Sequence, residues 1–155
     1  MTFEKATIKD ISMLTDLRIA YLQEDLGTIT DKDLGLIQTS LPSYYTKHLN
    51  QDLMVYVTRK EDDIVSCAFL LIVEKPISPS FITGKTGTVL NVYTKPEYRH
   101  KGYAKQIMTM MLEDAAVLDV SVIELKSTEA GYSLYKSVGF EDVIAKYHNM
   151  KIVLE

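Results

Sequence analysis

Arg99-His100-Lys101-Gly102-Tyr103-Ala104 is the segment best suited to chemistry. It lies between a strand-like run, Thr88 to Thr94, and a strongly periodic helical run that begins near Tyr103. A strand that turns tightly into a helix aims free backbone N–H groups at one point, and the helix dipole reinforces that point. Such a junction suits a phosphate. Gly102 lets the backbone approach a ligand closely, and Ala104 keeps the first helical turn narrow. Lys95, Arg99, Lys101 and Lys105 surround the turn, with only Glu97 opposing them. The chain as a whole has a formal net charge of -4, so this basic cluster is local. Taken alone, the segment is also compatible with a plain helix entry carrying solvated charges.

Other chemistries find less support. The single cysteine, Cys67, sits beside Ala68, Phe69 and Leu70 and reads as a small core residue rather than a nucleophile. It excludes an internal disulfide and gives no metal-ligand spacing. His48 and His148 have no partner spacing either, so no metal is expected. There is no Gly-x-Gly-x-x-Gly and no Gly-Lys-Ser/Thr loop, which weakens a nucleotide-binding reading of the same turn. Met108 and Met111 fall on a core face.

The elements that must hold the turn are legible from periodicity. Phe3 to Ile8 predicts a first strand. Asp10 is a helix N-cap, with Ile11, Leu14, Leu17, Tyr21 and Leu22 at helical spacing and Gly27 as the stop. A second helix is expected from about Asp31 to Leu49, broken or kinked at Pro42. Leu53 to Thr58 and Ile64 to Glu74 form an expected antiparallel hairpin around Glu61-Asp62-Asp63. Lys75 to Lys85, with Pro76, Pro79 and Gly84, is expected as a long loop. After the Thr88–Thr94 strand, Ala104, Ile107, Met108, Met111, Leu112 and Ala115 share one helix face. Ser121 to Leu125 is a strand. Ser127 or Thr128 then caps a short helix that ends at Gly139, and two closing strands follow, Met150 to Leu154 being the last. The central strand-helix-strand unit is expected to be parallel and right-handed. Ligands in such sheets bind at the carboxyl ends of the strands, where the basic turn lies.

Composition sets the outer limits. The chain has 155 residues, 46% hydrophobic and 25% charged, the profile of one globular domain spanning 1–155. No apolar run approaches a bilayer span, and the N-terminal residues show no signal region, so no membrane association is expected. The acidic balance argues against nucleic-acid binding. With one cysteine and no leader, a cytoplasmic location is expected.

At this point the residues match a family. Arg99-x-x-Gly102-x-Ala104 resembles the pyrophosphate loop of the GNAT acetyltransferases, whose pattern is Gln/Arg-x-x-Gly-x-Gly/Ala. Asn91 to Arg99 looks like the family's fourth strand and its exit. Leu134-Tyr-Lys-Ser-Val-Gly-Phe140 resembles its Leu-Tyr-Glu-Lys-x-Gly-Phe segment. Arg18 and Leu22 on a first helix are compatible. The resemblance implies an α+β (mixed α/β) fold, with a central mixed sheet, a splayed parallel strand pair and helices on both faces. It implies acetyl-coenzyme A as co-substrate. Val92, Tyr93 and Thr94 would hold the pantetheine arm through backbone groups, like an added strand. Arg99, His100, Lys101, Gly102, Tyr103, Ala104 and Lys105 would wrap the pyrophosphate. Tyr135 matches the tyrosine that protonates the departing thiolate, although a plain packing role is the alternative.

Two departures stand out. Many members carry an asparagine seven residues before that tyrosine; here the position is Thr128, whose hydroxyl would have to make the coenzyme contact. Several carry a glutamate twelve residues before it; here the position is Ile123, with Glu124 adjacent and therefore turned to the other face. Amine acetylation needs a proton acceptor, a donor for the thioester oxygen and a donor for the leaving sulfur. Asn91, Glu24 and Glu124 are the candidates to hold a base or a water relay. The expected reaction is acetyl transfer to a primary amine of a small molecule or peptide by direct attack in a ternary complex. The alternative is a catalytically silent, coenzyme-A-binding regulatory or interaction module. The first two helices and the Lys75–Lys85 loop would choose the acceptor. Glu24, Asp25, Asp31 and Asp33 would favour a cationic one, and Tyr44 and Tyr45 are candidates to line its groove. Family analogy and common symmetry suggest a homodimer.

Overall fold

The computed structural model describes residues 1–155. Its elements, in chain order, are β1 (Thr2–Lys5), α1 (Ile11–Leu26), α2 (Asp31–His48), β2 (Leu53–Lys60), β3 (Asp63–Glu74), β4 (Lys85–Thr94), α3 (Tyr103–Val117), β5 (Val122–Glu124) and α4 (Tyr132–Ser137). The five strands form one sheet in the order β1-β2-β3-β4-β5. The first four are mutually antiparallel, and β4 and β5 are parallel. The parallel pair requires the crossover that α3 supplies.

Strand alternation divides the core in two. Val55, Val57, Cys67 and Phe69 point to one face and pack with Leu14, Leu17 and Tyr45 of α1 and α2. Met54, Tyr56, Ala68 and Leu70 point to the other and pack with Ile107, Met108, Met111 and Ala115 of α3. This is the period-2 pattern of a sheet covered on both faces. Ile107, Met108 and Met111 are fully buried, and burial of each such side chain contributes about 2 kcal/mol. The α3 stripe is the one the spacing predicts.

Several local expectations are refined. The first strand stops at Lys5, and a single 3-10 turn, Ile8–Asp10, replaces its end. Asp10 precedes α1 as expected, but its carboxylate closes the preceding turn by accepting from the Thr7 N–H at 2.9 Å and from Arg59 at 3.0 Å. Gly27 ends α1 at φ 77°. α2 runs unbroken through Pro42. Tyr45, three residues on, is buried among the α1 and sheet side chains, and that packing outweighs the missing donor.

The largest departure is at the end. Gly139 adopts φ 106° and Phe140 packs on the α3 core, but residues 141–155 form no strand. The two closing strands expected there are absent: none of these residues makes a backbone hydrogen bond.

Candidate active site

The site begins at a defect in the sheet. β4 pairs with β5 only at Thr86, Gly87 and Thr88. On its other side β4 continues against β3 as far as Thr94. A bulge interrupts that second ladder between Cys67 and Phe69, and Asn91 takes a left-handed φ of 51° within it. A bulge bends its strand and sharpens the twist, and here it coincides with the parting of β4 from β5. β5 ends at Glu124, opposite Thr88, and leaves one edge of Leu90–Thr94 without a strand partner.

The register shows which groups line that edge. Lys95 donates its N–H to the Val65 carbonyl of β3 at 2.9 Å. Alternation turns Tyr93 the same way and turns the N–H groups of Val92 and Thr94 toward the opening. The Thr94 carbonyl on that side is already occupied, because Arg99 Nε donates to it at 2.8 Å.

The strand-to-helix turn follows directly. His100 at φ 62° and Gly102 at φ 82° are both left-handed. None of the N–H groups from His100 to Lys105 donates to a backbone carbonyl. These donors and the start of α3 converge as a backbone nest, a shape suited to anions. A Cβ added at Gly102 would meet no atom within 4 Å, so the glycine is required by its conformation rather than by crowding. A hollow of about 480 Å³ lined by Gly102, Lys105, Gln106 and Thr109 flanks the turn. A second hollow, of about 410 Å³, lies near Glu74 and Lys85, at the opposite end of β4.

The cations divide into two sets. Arg99 forms a two-pronged pair with Glu24 of α1, at 2.8 and 2.7 Å, and its guanidinium stacks 5.4 Å from the Tyr93 ring centre. Lys95 pairs with Asp63 at 2.7 Å. Lys101 and Lys105 form no ion pair; the Lys101 ammonium lies 5.5 Å from the Tyr98 ring centre. The free charge at the turn is therefore that of Lys101 and Lys105, while Arg99 tethers the turn to α1. Hydrogen bonding from Arg99, aided by its charge, holds the Glu24 carboxyl below the usual range against the opposing effect of burial.

Asn91 is buried, and its side chain is held on both sides. Its Oδ1 accepts from Arg18 at 3.3 Å, and its Nδ2 donates to the Cys67 sulfur at 3.6 Å. Burial pushes the Cys67 thiol up to about 12, and its contacts with Asn91, with the Tyr93 backbone and with the Arg18 charge only partly offset this. It is an inert core thiol, as its apolar neighbours indicate. Ile123 packs on the α3 side. Glu124 therefore faces the α1 side, where Asn91 also points, and it is exposed.

Tyr135 lies on the margin of the α3 core, its ring edge-on to Phe140 with centres 6.1 Å apart. Burial pushes its phenol up to about 12, and the nearby Tyr21 of α1 adds to the rise. Thr128 is brought close to it. The Thr128 hydroxyl accepts from the Gly131 N–H at 3.2 Å, and a Cβ on Gly131 would stand 2.8 Å from the Tyr135 ring and 3.3 Å from that hydroxyl. Gly131 is thus the residue that lets the loop close over the tyrosine.

The acidic residues expected to favour a cationic acceptor do not form one group. Glu24 is taken by Arg99, while Asp31 and Asp33 occupy the first turn of α2, where they complement its dipole. Arg18 and Tyr21 are residues near the site that sequence spacing does not mark. Both lie on α1 at helical spacing, the Arg18 guanidinium 6.0 Å from the Tyr21 ring centre. Arg18 reaches the β4 bulge seventy-three positions away in sequence, so local spacing carries no signal for it. The Tyr45 hydroxyl is buried without a hydrogen-bond partner, and its ring packs edge-on to Phe69.

Comparison with known proteins places this geometry. No curated protein matches the sequence. The acetyltransferase (GNAT) domain profile matches residues 51–142. A predicted acetyltransferase from Clostridium acetobutylicum, solved with acetyl-CoA, is 26% identical, with a TM-score of 0.83 over 97% of this chain and 95% of its own. A GCN5-related N-acetyltransferase from Ralstonia eutropha JMP134 is 20% identical, with a TM-score of 0.79 over 96% of this chain and 97% of its own. Ribosomal-protein-alanine N-acetyltransferase from Brucella melitensis biovar Abortus 2308 is 16% identical, with a TM-score of 0.71 over 99% of this chain and all of its own. The last two share the fold. No helix here is long and apolar enough to cross a membrane. With the profile covering more than half of the chain, from β2 to α4, the chain belongs to the GNAT acetyltransferase family.

Proposed function

We propose that residues 1–155 act as one N-acetyltransferase domain that moves an acetyl group from acetyl-coenzyme A to a primary amine. The observation that carries this reading is the continuity of two features: the open edge of β4 at Val92–Thr94 and the unpaired N–H groups of His100–Lys105. An extended arm ending in a diphosphate fits that sequence of donors. The C. acetobutylicum structure, solved with acetyl-CoA, supports the same donor here. The coenzyme supplies an activated thioester; the chain supplies the rest.

The N–H groups of His100 to Lys105, with the Lys101 and Lys105 charges, hold the diphosphate. Arg99 acts through its pair with Glu24, fixing the turn against α1. The N–H groups of Val92 and Thr94 hold the arm, and that of Val92 donates to the oxygen that gains charge. Tyr93 contributes its ring, as the platform under Arg99. Tyr135 donates its phenolic proton to the leaving sulfur; a phenol carries that proton at neutral pH. Thr128 and Gly131 position the Tyr135 ring. Glu124 is the carboxylate left free on the α1 face to hold a water for the amine proton, since Glu24 is paired with Arg99 and the Asn91 amide is held between Arg18 and Cys67. The same engagement of Glu24 and Asn91 favours the second reading, a coenzyme-A-binding module without turnover. A single buried cysteine fits a cytoplasmic setting.

The test supplies acetyl-coenzyme A with a polyamine, an aminoglycoside, free amino acids and peptides, and follows free thiol. Release of thiol with one class supports the enzyme. Tight coenzyme binding with no turnover on any of them leaves the binding module.

A further inference from the structure

Arg18 is a cation without an acid. It is partly buried on α1 and forms no ion pair. A guanidinium carries five N–H donors in a rigid fork. Here one of them is used, from Nη1 to Asn91 Oδ1 at 3.3 Å. The Tyr21 ring lies against the head, its centre 6.0 Å from the guanidinium carbon. The fork is therefore held in place with most of its donors unspent.

Its surroundings are aromatic and apolar rather than acidic. Burial raises the Tyr21, Tyr44 and Tyr45 phenols and the Cys67 thiol, and the Arg18 charge opposes that rise in all four. These groups come from α1, α2 and β3, so the charge sits where the helices meet the sheet. Tyr45 is 1% exposed, and its hydroxyl has no hydrogen-bond partner. A partly buried charge and a buried hydroxyl, both short of partners, mark a place where a ligand completes the bonding. The nearby acids do not fill it. Glu24 holds Arg99, Asp52 holds His48, and Asp25, whose charge reaches Tyr21, is exposed.

The position of the fork narrows the ligand. Asn91 immediately precedes Val92, whose N–H faces the reacting oxygen in the reading above, and adjacent Cα atoms are about 3.8 Å apart. The coenzyme's phosphates belong to His100–Lys105, beyond Thr94. The Arg18 charge is left for the acceptor, a few bonds from its amine. We infer that Arg18 binds a carboxylate of the acceptor, so that the amine acetylated is that of a small free amino acid rather than a polyamine. The fork matches a carboxylate, and Glu124 on the same face serves the amine. This inference rests on the acetyl-transfer reading, since it takes Val92 as the reaction point.

Calorimetric titration into the chain loaded with coenzyme A tests it without requiring turnover. The probes are the protein amino acids, their uncharged amides, dipeptides beginning with the same residues, and spermidine. At least one amino acid should bind, with its amide and its dipeptide about 10- to 100-fold weaker and spermidine no tighter than the amide. Arg18→Gln keeps a donor for Asn91. It should bring the acid down to the level of its amide while coenzyme A affinity is unchanged, and Arg18→Lys should restore part of the difference. Binding of no amino acid, equal binding of acid and amide, or an acid-to-amide ratio unchanged in Arg18→Gln overturns the proposal. Free-thiol release separates it from the reading beneath it. Amino-acid binding without thiol release keeps the carboxylate site and removes acetyl transfer. Thiol release with polyamines alone keeps acetyl transfer and overturns the carboxylate site.

Discussion

At the residue scale, the fold displaces the ionisation of two groups of the candidate site. Burial, then Tyr21, raises the Tyr135 phenol to about 12, so it stays a proton donor well past the point where an ordinary tyrosine titrates. Tyr135→Phe should lower kcat about 100-fold, the order expected for losing a positioned general acid, with coenzyme A affinity unchanged in a binding titration. Loss of affinity equal to the loss of rate would make the tyrosine a packing residue. Glu24 is displaced the other way, held low first by its hydrogen bond from Arg99. A carboxyl with a depressed folded pKa stabilises fully above its unfolded value, near about 4.3, and loses that contribution as pH falls through the folded value. The pair is half exposed, so its worth is below about 1 kcal/mol. Glu24→Gln should therefore lower Tm slightly at pH 7, and the gap to the parent should close below about pH 4 in a pH series of melting curves.

At the element scale, the strand-to-helix turn does what a side chain does elsewhere. It presents backbone N–H groups, oriented by two left-handed residues, His100 and Gly102. Gly102→Ala meets no clash, so its cost is conformational, about 1–2 kcal/mol, and it falls on the conformation that aims the donors. Steady-state kinetics should show a raised KM for acetyl-coenzyme A with kcat less affected; a change in kcat alone would separate the turn from coenzyme binding. The turn was legible in sequence because glycine, alanine and the α3 periodicity are local signals. The charge distribution was not: Lys95 and Arg99 count as free cations in sequence, and only the fold brings Asp63 and Glu24 onto them. Pro42 shows the same limit, since local chemistry predicts a break and the packing of Tyr45 keeps the helix whole.

At the scale of the molecule, one sheet carries a core on each face and opens between β4 and β5. Coenzyme A should bind across that opening. At about 100 times its Kd it should stabilise the chain by about 2.7 kcal/mol, a rise in Tm of roughly 5–10 °C for a chain of this length. ADP offers the diphosphate without the pantetheine arm and should shift Tm less in the same assay. Equal shifts would mean that the β4 edge takes no part.

The sequence by itself determined the element order as far as α4, the α3 stripe, the strand-to-helix turn and the family motifs from Asn91 to Phe140, because each rests on spacing within one or two elements. The tertiary structure decided which charges at the turn are free, that Arg18 reaches Asn91, that Glu124 faces α1, and that residues 141–155 remain unpaired. Those outcomes depend on groups many tens of residues apart, which spacing along the chain does not record.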